Sequence, residues 1–484
     1  MTRVLSILAP SVAVLGFLSA CTVGPQYDGP PASIAALAPK QFQQAVIAGL
    51  PTTPRPSPWW AAYGDAQLNL LMQRALADNL DLAIAQSRLK QARAGLLVQR
   101  RNLLPDGSAK AAYDHQQIAL AAFGIDPSSL GLAPKPIDTY DLEFDASWEL
   151  DLFGGGRRSV EAAKADAEGA SDRIEDVRVA LLAEVASTYV DLRGAQQRSA
   201  LLRAEVKAAQ DIVNLTSFRQ THGTASEFDV GRSKLQLQTT QSALDPVLGQ
   251  IDGDLIALAI LTGHAPGDID ADLTQPSAIP VVPDQLMVGD PALLLRRRPD
   301  VRVAERGLAA DTARIGVAMA DLFPKVRLAG SYGDDATKVS QIGTNTALDF
   351  SVGPTLSWDF LDFGRVKARI AQSKAKASES LANYHKAVLT ALQDAETNLS
   401  RINHDRAYLE GVREAARIAS RNSDLARMQY KAGTASQLDL LDAEHQRLQA
   451  EDTVILAQVS FAKDYASLSK ALGYGWDAAS ATVR

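Results

Sequence analysis

Two short stretches set a hydroxyl and a carboxylate at a fixed spacing. Ser226 is followed three residues on by Asp229, and Ser436 by Asp439. Each serine ends the same tetrapeptide, Gly223-Thr224-Ala225-Ser226 and Gly433-Thr434-Ala435-Ser436, 210 residues apart. This is capping-box spacing: the serine hydroxyl takes the amide three residues later, and the acid takes the serine's own amide. The glycine suits the left-handed end of a preceding helix. Asp442 is different. It lies nine residues after Gly433 and a turn inside the next helix, where capping does not account for it.

Reaction chemistry finds no support. The six histidines show no metal-ligand spacing, and there is no Gly-x-Ser-x-Gly. Gly154-Gly155-Gly156 lacks the lysine and hydroxyl of a phosphate loop and reads as a strand-to-helix joint. Arg296-Arg297-Arg298 is either an anion patch or a set of structural ion pairs. No enzyme, cofactor or metal is indicated. A net charge of −7 argues against nucleic acid as a partner.

Residues 1–20 read as a secretory signal: Arg3, an apolar run from Val4 to Leu18 broken by Pro10, then Ser19 and Ala20. Cys21 is the only cysteine, so no intrachain disulfide forms. Leu18-Ser19-Ala20-Cys21 resembles a bacterial lipoprotein cleavage box. That resemblance implies that Cys21 becomes the lipidated first residue, and Thr22 behind it implies sorting to the outer membrane.

Long helices must position the acidic turns. Residues 22–58 carry no period and read as an extended tether. From Asp65, Leu68, Leu71, Ala75, Leu82, Ala85, Leu89, Ala92 and Leu96 keep steps of three and four, interrupted at Asp78, until Pro105 stops the pattern. Helices are expected over 157–220 and 226–262. The second copy repeats the order, with a helix from 300 ending before Pro324, a long one over 365–430 and another over 436–472. Ala377, Leu381, Tyr384, Val388, Ala391 and Ala395 mark the seam of 365–430. Asp81 precedes Pro105 by 24 residues, as Asp300 precedes Pro324, and Phe153-Gly154 returns as Phe363-Gly364. The chain is an internal duplication.

Between the proline stop and each long helix the period drops to two. Tyr140, Leu142, Phe144, Ala146, Trp148 and Leu150 alternate with acidic or small residues. Leu348, Phe350, Val352, Pro354, Leu356, Trp358 and Phe360 do the same. Each copy thus holds a hairpin, over 107–152 and 326–360. Strands of about 12 residues suit a membrane when tilted, and an open sheet edge in lipid costs several kcal/mol per unpaired group, roughly. Four strands close no barrel, whereas three chains supply twelve.

The ordered stretches Trp59-Trp60-Ala61-Ala62-Tyr63-Gly64-Asp65, Asn79-Leu80-Asp81-Leu82, Leu295-Arg296-Arg297-Arg298-Pro299-Asp300-Val301, Ala320-Asp321-Leu322-Phe323-Pro324, Tyr430-Lys431-Ala432-Gly433 and Leu440-Leu441-Asp442-Ala443 resemble the TolC-like outer-membrane efflux factors. The nearest branch is the lipoprotein (NodT) type that works with RND multidrug pumps. The resemblance implies a mainly α fold with a membrane β hairpin pair, and a homotrimer with a 12-stranded β-barrel continued by a 12-helix periplasmic α-barrel. It divides the chain into a signal (1–20), a lipidated tether and equatorial segment (21–64), repeat one (65–264), an equatorial linker (265–299), repeat two (300–476) and a tail (477–484). The implied function is an exit duct for small molecules, gated at the periplasmic end by a periplasmic adaptor protein and an inner-membrane pump. A type I protein-secretion channel and a non-channel periplasmic coiled-coil protein are the alternatives.

Residue roles follow from the same resemblance. Asp439 and Asp442 line the periplasmic aperture as carboxylate rings, which repel anions and attract cations. Tyr430 and Asp229 brace the gate by a hydrogen bond within one chain. Gly223, Thr224, Ser226, Gly433, Thr434 and Ser436 form the tip turns and meet the adaptor. Some family members place an arginine two residues after the glycine to link subunits. Here that position is Ala435.

Overall fold

The computed structural model describes residues 22–47, 50, 58–117, 136–283 and 285–476. The signal, Cys21, most of the first hairpin's loop and the tail lie outside them. The described residues fall into two compact units. One takes the chain up to Gly29 with Leu89–Gly169 and Glu305–Asn383; the other takes Pro30–Arg88, Ala170–Ala304 and the chain from Tyr384 onward.

The helices, in order, are α1 (Ala32–Ala35), α2 (Gln43–Ile47), α3 (Ala66–Asp78), α4 (Leu80–Arg101), α5 (Gly155–Thr221), α6 (Glu227–Leu261), α7 (Asp270–Leu273), α8 (Pro291–Arg297), α9 (Pro299–Ala320), α10 (Phe363–Lys431) and α11 (Gln437–Ala471). The strands are β1 (Asp106–Gln116), β2 (Ile137–Leu150), β3 (Lys325–Ala336) and β4 (Leu348–Ser357). No described helix is both long and apolar enough to cross a membrane.

In the first unit the strands form one antiparallel sheet in the order β1-β2-β3-β4. The register sets Phe144 opposite Ala109 and Tyr332, and Tyr332 opposite Phe350, so apolar residues share one face. That face is open in a single chain: Phe144 is 54%, Tyr332 59% and Phe350 69% exposed. Asp145, opposite Ser108 and Ser331, stands on the other face with Glu143, Lys110, Asp141 and Asp335. The structure shortens the expected second hairpin. β4 stops at Ser357, so Trp358 and Phe360 lie beyond it. Even so, both copies seat their tryptophan alike. Trp148 Nε1 donates to the Leu103 carbonyl at 2.9 Å, and Trp358 Nε1 to the Leu322 carbonyl at 3.2 Å.

The second unit is held by helical seams and an aromatic knot. On α10, Val388, Ala391, Ala395, Leu399 and Ile402 step by three and four and are all fully buried. Nearer the start of α10, within the first unit, the expected seam position Leu381 is instead 38% exposed, and its neighbour Ser380 turns inward to bond Asp311. The expected single helix from Asp65 is broken at Asn79, whose backbone is extended. Its side chain explains the break: Oδ1 caps the next helix at the Leu82 amide, 3.0 Å, and Nδ2 donates to the Leu261 carbonyl, 3.0 Å. Trp59, Tyr63 and Tyr465 pack with ring centroids 5.0–6.2 Å apart.

The described part of residues 22–58 is not a plain tether. It includes α1 and α2, and the Glu396 carboxylate takes the Gln43 and Gln44 amides at 2.7 and 3.0 Å. Within the arginine run, Arg297 lies over the Tyr474 ring, 5.0 Å from its centre, and Arg298 forms the ion pairs. Arg298, 8% exposed, bonds Asp300 at 2.6 Å, Asp394 at 3.0 Å and the Ala471 carbonyl at 3.1 Å.

Candidate functional site

The two tetrapeptide turns join α5 to α6 and α10 to α11. Each long helix ends on a glycine with positive φ, +73° at Gly223 and +76° at Gly433, a conformation that costs glycine little. The next amides fold back in a Schellman pattern: Thr224 N to the Arg219 carbonyl at 2.8 Å and Thr434 N to the Gln429 carbonyl at 3.0 Å. The threonine hydroxyls reinforce the same carbonyls at 3.0 and 3.1 Å.

The capping boxes form as their spacing requires. The Asp229 amide donates to Ser226 Oγ at 3.2 Å, and Asp229 Oδ2 accepts from Ser226 N at 2.9 Å and Oγ at 2.7 Å. Asp439 does the same with Ser436 at 3.2, 2.8 and 2.7 Å. These serine hydroxyl and amide bonds hold both carboxyls below the usual aspartate range. Asp439 and Asp442 are both exposed, and at a spacing of three they share one face of α11. Asp442 spends no oxygen on a cap; Oδ2 accepts from Gln446 Nε2 at 2.9 Å.

The expected bond between Tyr430 and Asp229 does not form. Asp229 is committed to its own cap, and Tyr430, 9% exposed, meets Arg219 instead. Arg219 Nη1 donates to the Tyr430 hydroxyl at 2.5 Å, and the guanidinium carbon lies 4.9 Å from the ring centre. The partner of Tyr430 is thus a cation from α5, not an acid from α6.

Two further polar contacts were not singled out by sequence. Gln437 Nε2, in the first turn of α11, donates to Ser233 Oγ at 3.1 Å and to Thr216 Oγ1, both hydroxyls fully buried between α5 and α6. Glu444, 8% exposed, accepts from Arg427 of α10 and, at 3.1 Å, from Arg447 Nε. The signal for these residues was divergence at the 210-residue offset. Arg219 faces Gln429 across the copies, Ser233 faces Ala443, and Lys234 faces Glu444.

Comparison with known proteins agrees with this architecture. Nodulation protein T of Rhizobium leguminosarum bv. trifolii is 28% identical over 95% of this chain and 96% of its own. The pyoverdine export outer membrane protein OpmQ of Pseudomonas aeruginosa is 28% identical over 96% of this chain and 98% of its own. The solved outer-membrane channel OprN superposes with a TM-score of 0.84 at 34% identity, covering 94% of this chain and all of that one. The fold is therefore that of a TolC-like outer-membrane channel. The outer membrane efflux protein profile matches residues 71–264 and 291–474, and the chain belongs to the outer membrane efflux protein family.

Proposed function

We propose that three copies of this chain form the outer-membrane exit duct of a tripartite efflux system. Its adaptor docks at the tip turns and its inner-membrane pump is of the RND type. One observation carries the reading: a four-stranded sheet with open edges at β1 and β4 and a bare apolar face. In lipid those edges must pair, and a homotrimer pairs them with twelve strands. The acidic face then turns to the water-filled lumen. Small molecules pass through without chemistry, and a relative named for pyoverdine export fits such a cargo. Cys21 carries the lipid that holds the mature N-terminus in the outer membrane.

Asp439 and Asp442 narrow the periplasmic aperture. Asp442 is the cleaner probe, because Asp439 also holds a cap. In planar bilayers, Asp442→Asn is expected to weaken block by multivalent cations added at the periplasmic side, with conductance retained. Unchanged block removes Asp442 from the aperture.

A further inference from the structure

The two copies repeat one more acid, and this one is enclosed among the helices of the second unit. Asp464 of α11 stands 210 residues after Asp254 of α6. Asp464 is 4% exposed, and its Oδ2 makes no hydrogen bond. Asp254 Oδ2 is likewise buried without a hydrogen-bond partner. An ionised oxygen shut off from water with no donor is strongly unfavourable.

The side chains around Asp464 are spoken for or out of reach. On α10, Arg401 and Asp405 lie one turn apart, and on α11 Ser460 and Asp464 do the same, so each helix sets two polar groups toward the other. Ser460 Oγ donates to Asp405 Oδ2 at 2.7 Å. Arg401 Nη1 stays 3.9 Å from Asp464 Oδ1, beyond hydrogen-bond distance. Lys463, beside Asp464 on α11, is committed to Asp191 of α5 at 2.6 Å. The Tyr63 hydroxyl is committed to the Ala462 carbonyl, also at 2.6 Å. The Asp405 carboxyl is what lies within hydrogen-bond reach of Asp464. Two ionised carboxylates cannot bond each other. One proton between them supplies the missing donor and removes one of two facing like charges. Burial first, and then Asp405, push the Asp464 carboxyl up, against the pull of Arg401 and Lys463.

We propose that Asp405 and Asp464 share one proton, and that this acid–carboxylate bond is a clasp that fastens α10 to α11 and opens as the pH rises. The first copy keeps the acid without the clasp. Ala195 stands where Asp405 would recur. The acid that acts on Asp254 is Asp191, which Lys463 already holds; burial and Asp191 raise Asp254 only to about 6. α10 and α11 end at the second tip, so the clasp fastens the helical hairpin that bears Asp439 and Asp442. It lies 26 residues before the end of α10, roughly 39 Å along the helix. The clasp stands whether or not the chain is a duct.

A carboxyl raised by folding contributes fully below its ordinary value of 3.8. That contribution is lost as the pH climbs through the folded value, about 8. The departing proton goes to solvent and leaves two anions face to face between α10 and α11.

Hydrogen exchange of the full-length protein in detergent tests this, with rates corrected for the intrinsic pH dependence of exchange. Between pH 6 and pH 9 the opening of amides in 402–408 and 461–467 is expected to rise about tenfold, the factor for one unit above the folded value. Asp464→Asn puts a neutral donor of the same size where the proton sat. Its opening in those segments should not change with pH, whereas Asp254→Asn should keep the wild-type rise there. A wild type that opens equally at both pH values overturns the clasp, and so does an equal rise in Asp464→Asn. Infrared spectra read the proton itself. The band of protonated carboxyls at pH 7 should be weaker in Asp464→Asn than in wild type, and equal bands overturn the proposal. If Asp464→Asn does not accumulate, Asp405→Asn removes the facing charge, and a full wild-type rise in that variant overturns the proposal equally.

Discussion

The two tips share a backbone and differ in almost every side chain that faces a neighbour. Their turn and cap distances agree to about 0.2 Å, from the Schellman amides to the serine–aspartate boxes. Yet the first tip contributes Arg219, Thr216 and Ser233, a cation and two buried hydroxyls, while the second contributes Tyr430 and Gln437, which reach into them. The first tip follows its cap with Arg232 where the second has Asp442. Duplication thus kept what ends and restarts a helix. It changed what ties one helical hairpin to the other and the charge that follows the cap. The comparison supports the proposal that bracing falls to the first tip and charge selection to the second.

The largest effect that can break this assignment is at Arg219. Arg219→Ala removes a charged hydrogen bond and a cation–π contact from a nearly buried tyrosine, together worth ~2 kcal/mol. If that contact exists only in the closed tip, the open population rises on the order of 30-fold. Single-channel records should show a higher resting conductance. Gln429→Ala, the same position in the second copy, is exposed and should leave the records unchanged. Equal effects from both substitutions would falsify the division of labour.

How much of this was legible in the chain depends on the range of the interaction. The turns, caps and strand alternation are local, set by residues within four positions of one another, and they appear in the structure as the sequence implied. The break at Asn79 was local too, but its cause is partly distant: the side chain that caps α4 also reaches Leu261. The partner of Tyr430 was not legible, because 211 positions separate it from Arg219 and no periodicity links them. Asp229 looked available as a partner only while its cap and its bracing role were counted as compatible. The geometry shows one carboxylate oxygen already taking two serine donors.

A middle-sized effect tests the shared half of the comparison. Ser226→Ala and Ser436→Ala each delete one cap and should each cost ~1 kcal/mol in local stability. Hydrogen exchange of the first-turn amides of α6 and α11 should accelerate by similar factors in the two variants. Acid should mimic both. The capped carboxyls have folded values below the usual 3.8, so the contribution is present above that value and is lost as the pH falls through the depressed one. If one tip frays well before the other, the caps are not equivalent and the tips differ in architecture as well as in side chains.

The smallest effect lies farther up the same helices, where the copies diverge again. Glu205 on α5 occupies the place of Ala415 on α10. Burial raises its carboxyl to about 7; Arg447 opposes the shift, while Glu444, Asp452 and Glu451 on α11 add to it. A raised acid binds its proton more tightly folded than unfolded. Its contribution is therefore full below the ordinary value of 4.5 and declines as the pH rises to about 7. The trimer should accordingly melt slightly lower at pH 8 than at pH 5, with Glu205→Gln reducing that difference. Asp464, on α11 and raised to about 8 by burial and by Asp405, still titrates in the variant, so some slope must remain. A variant with the full wild-type slope would mean that Glu205 keeps its charge at neutral pH, compensated by Arg447. The extra acid of the first copy would then belong to an ion-pair network along α11 and carry no strain of its own.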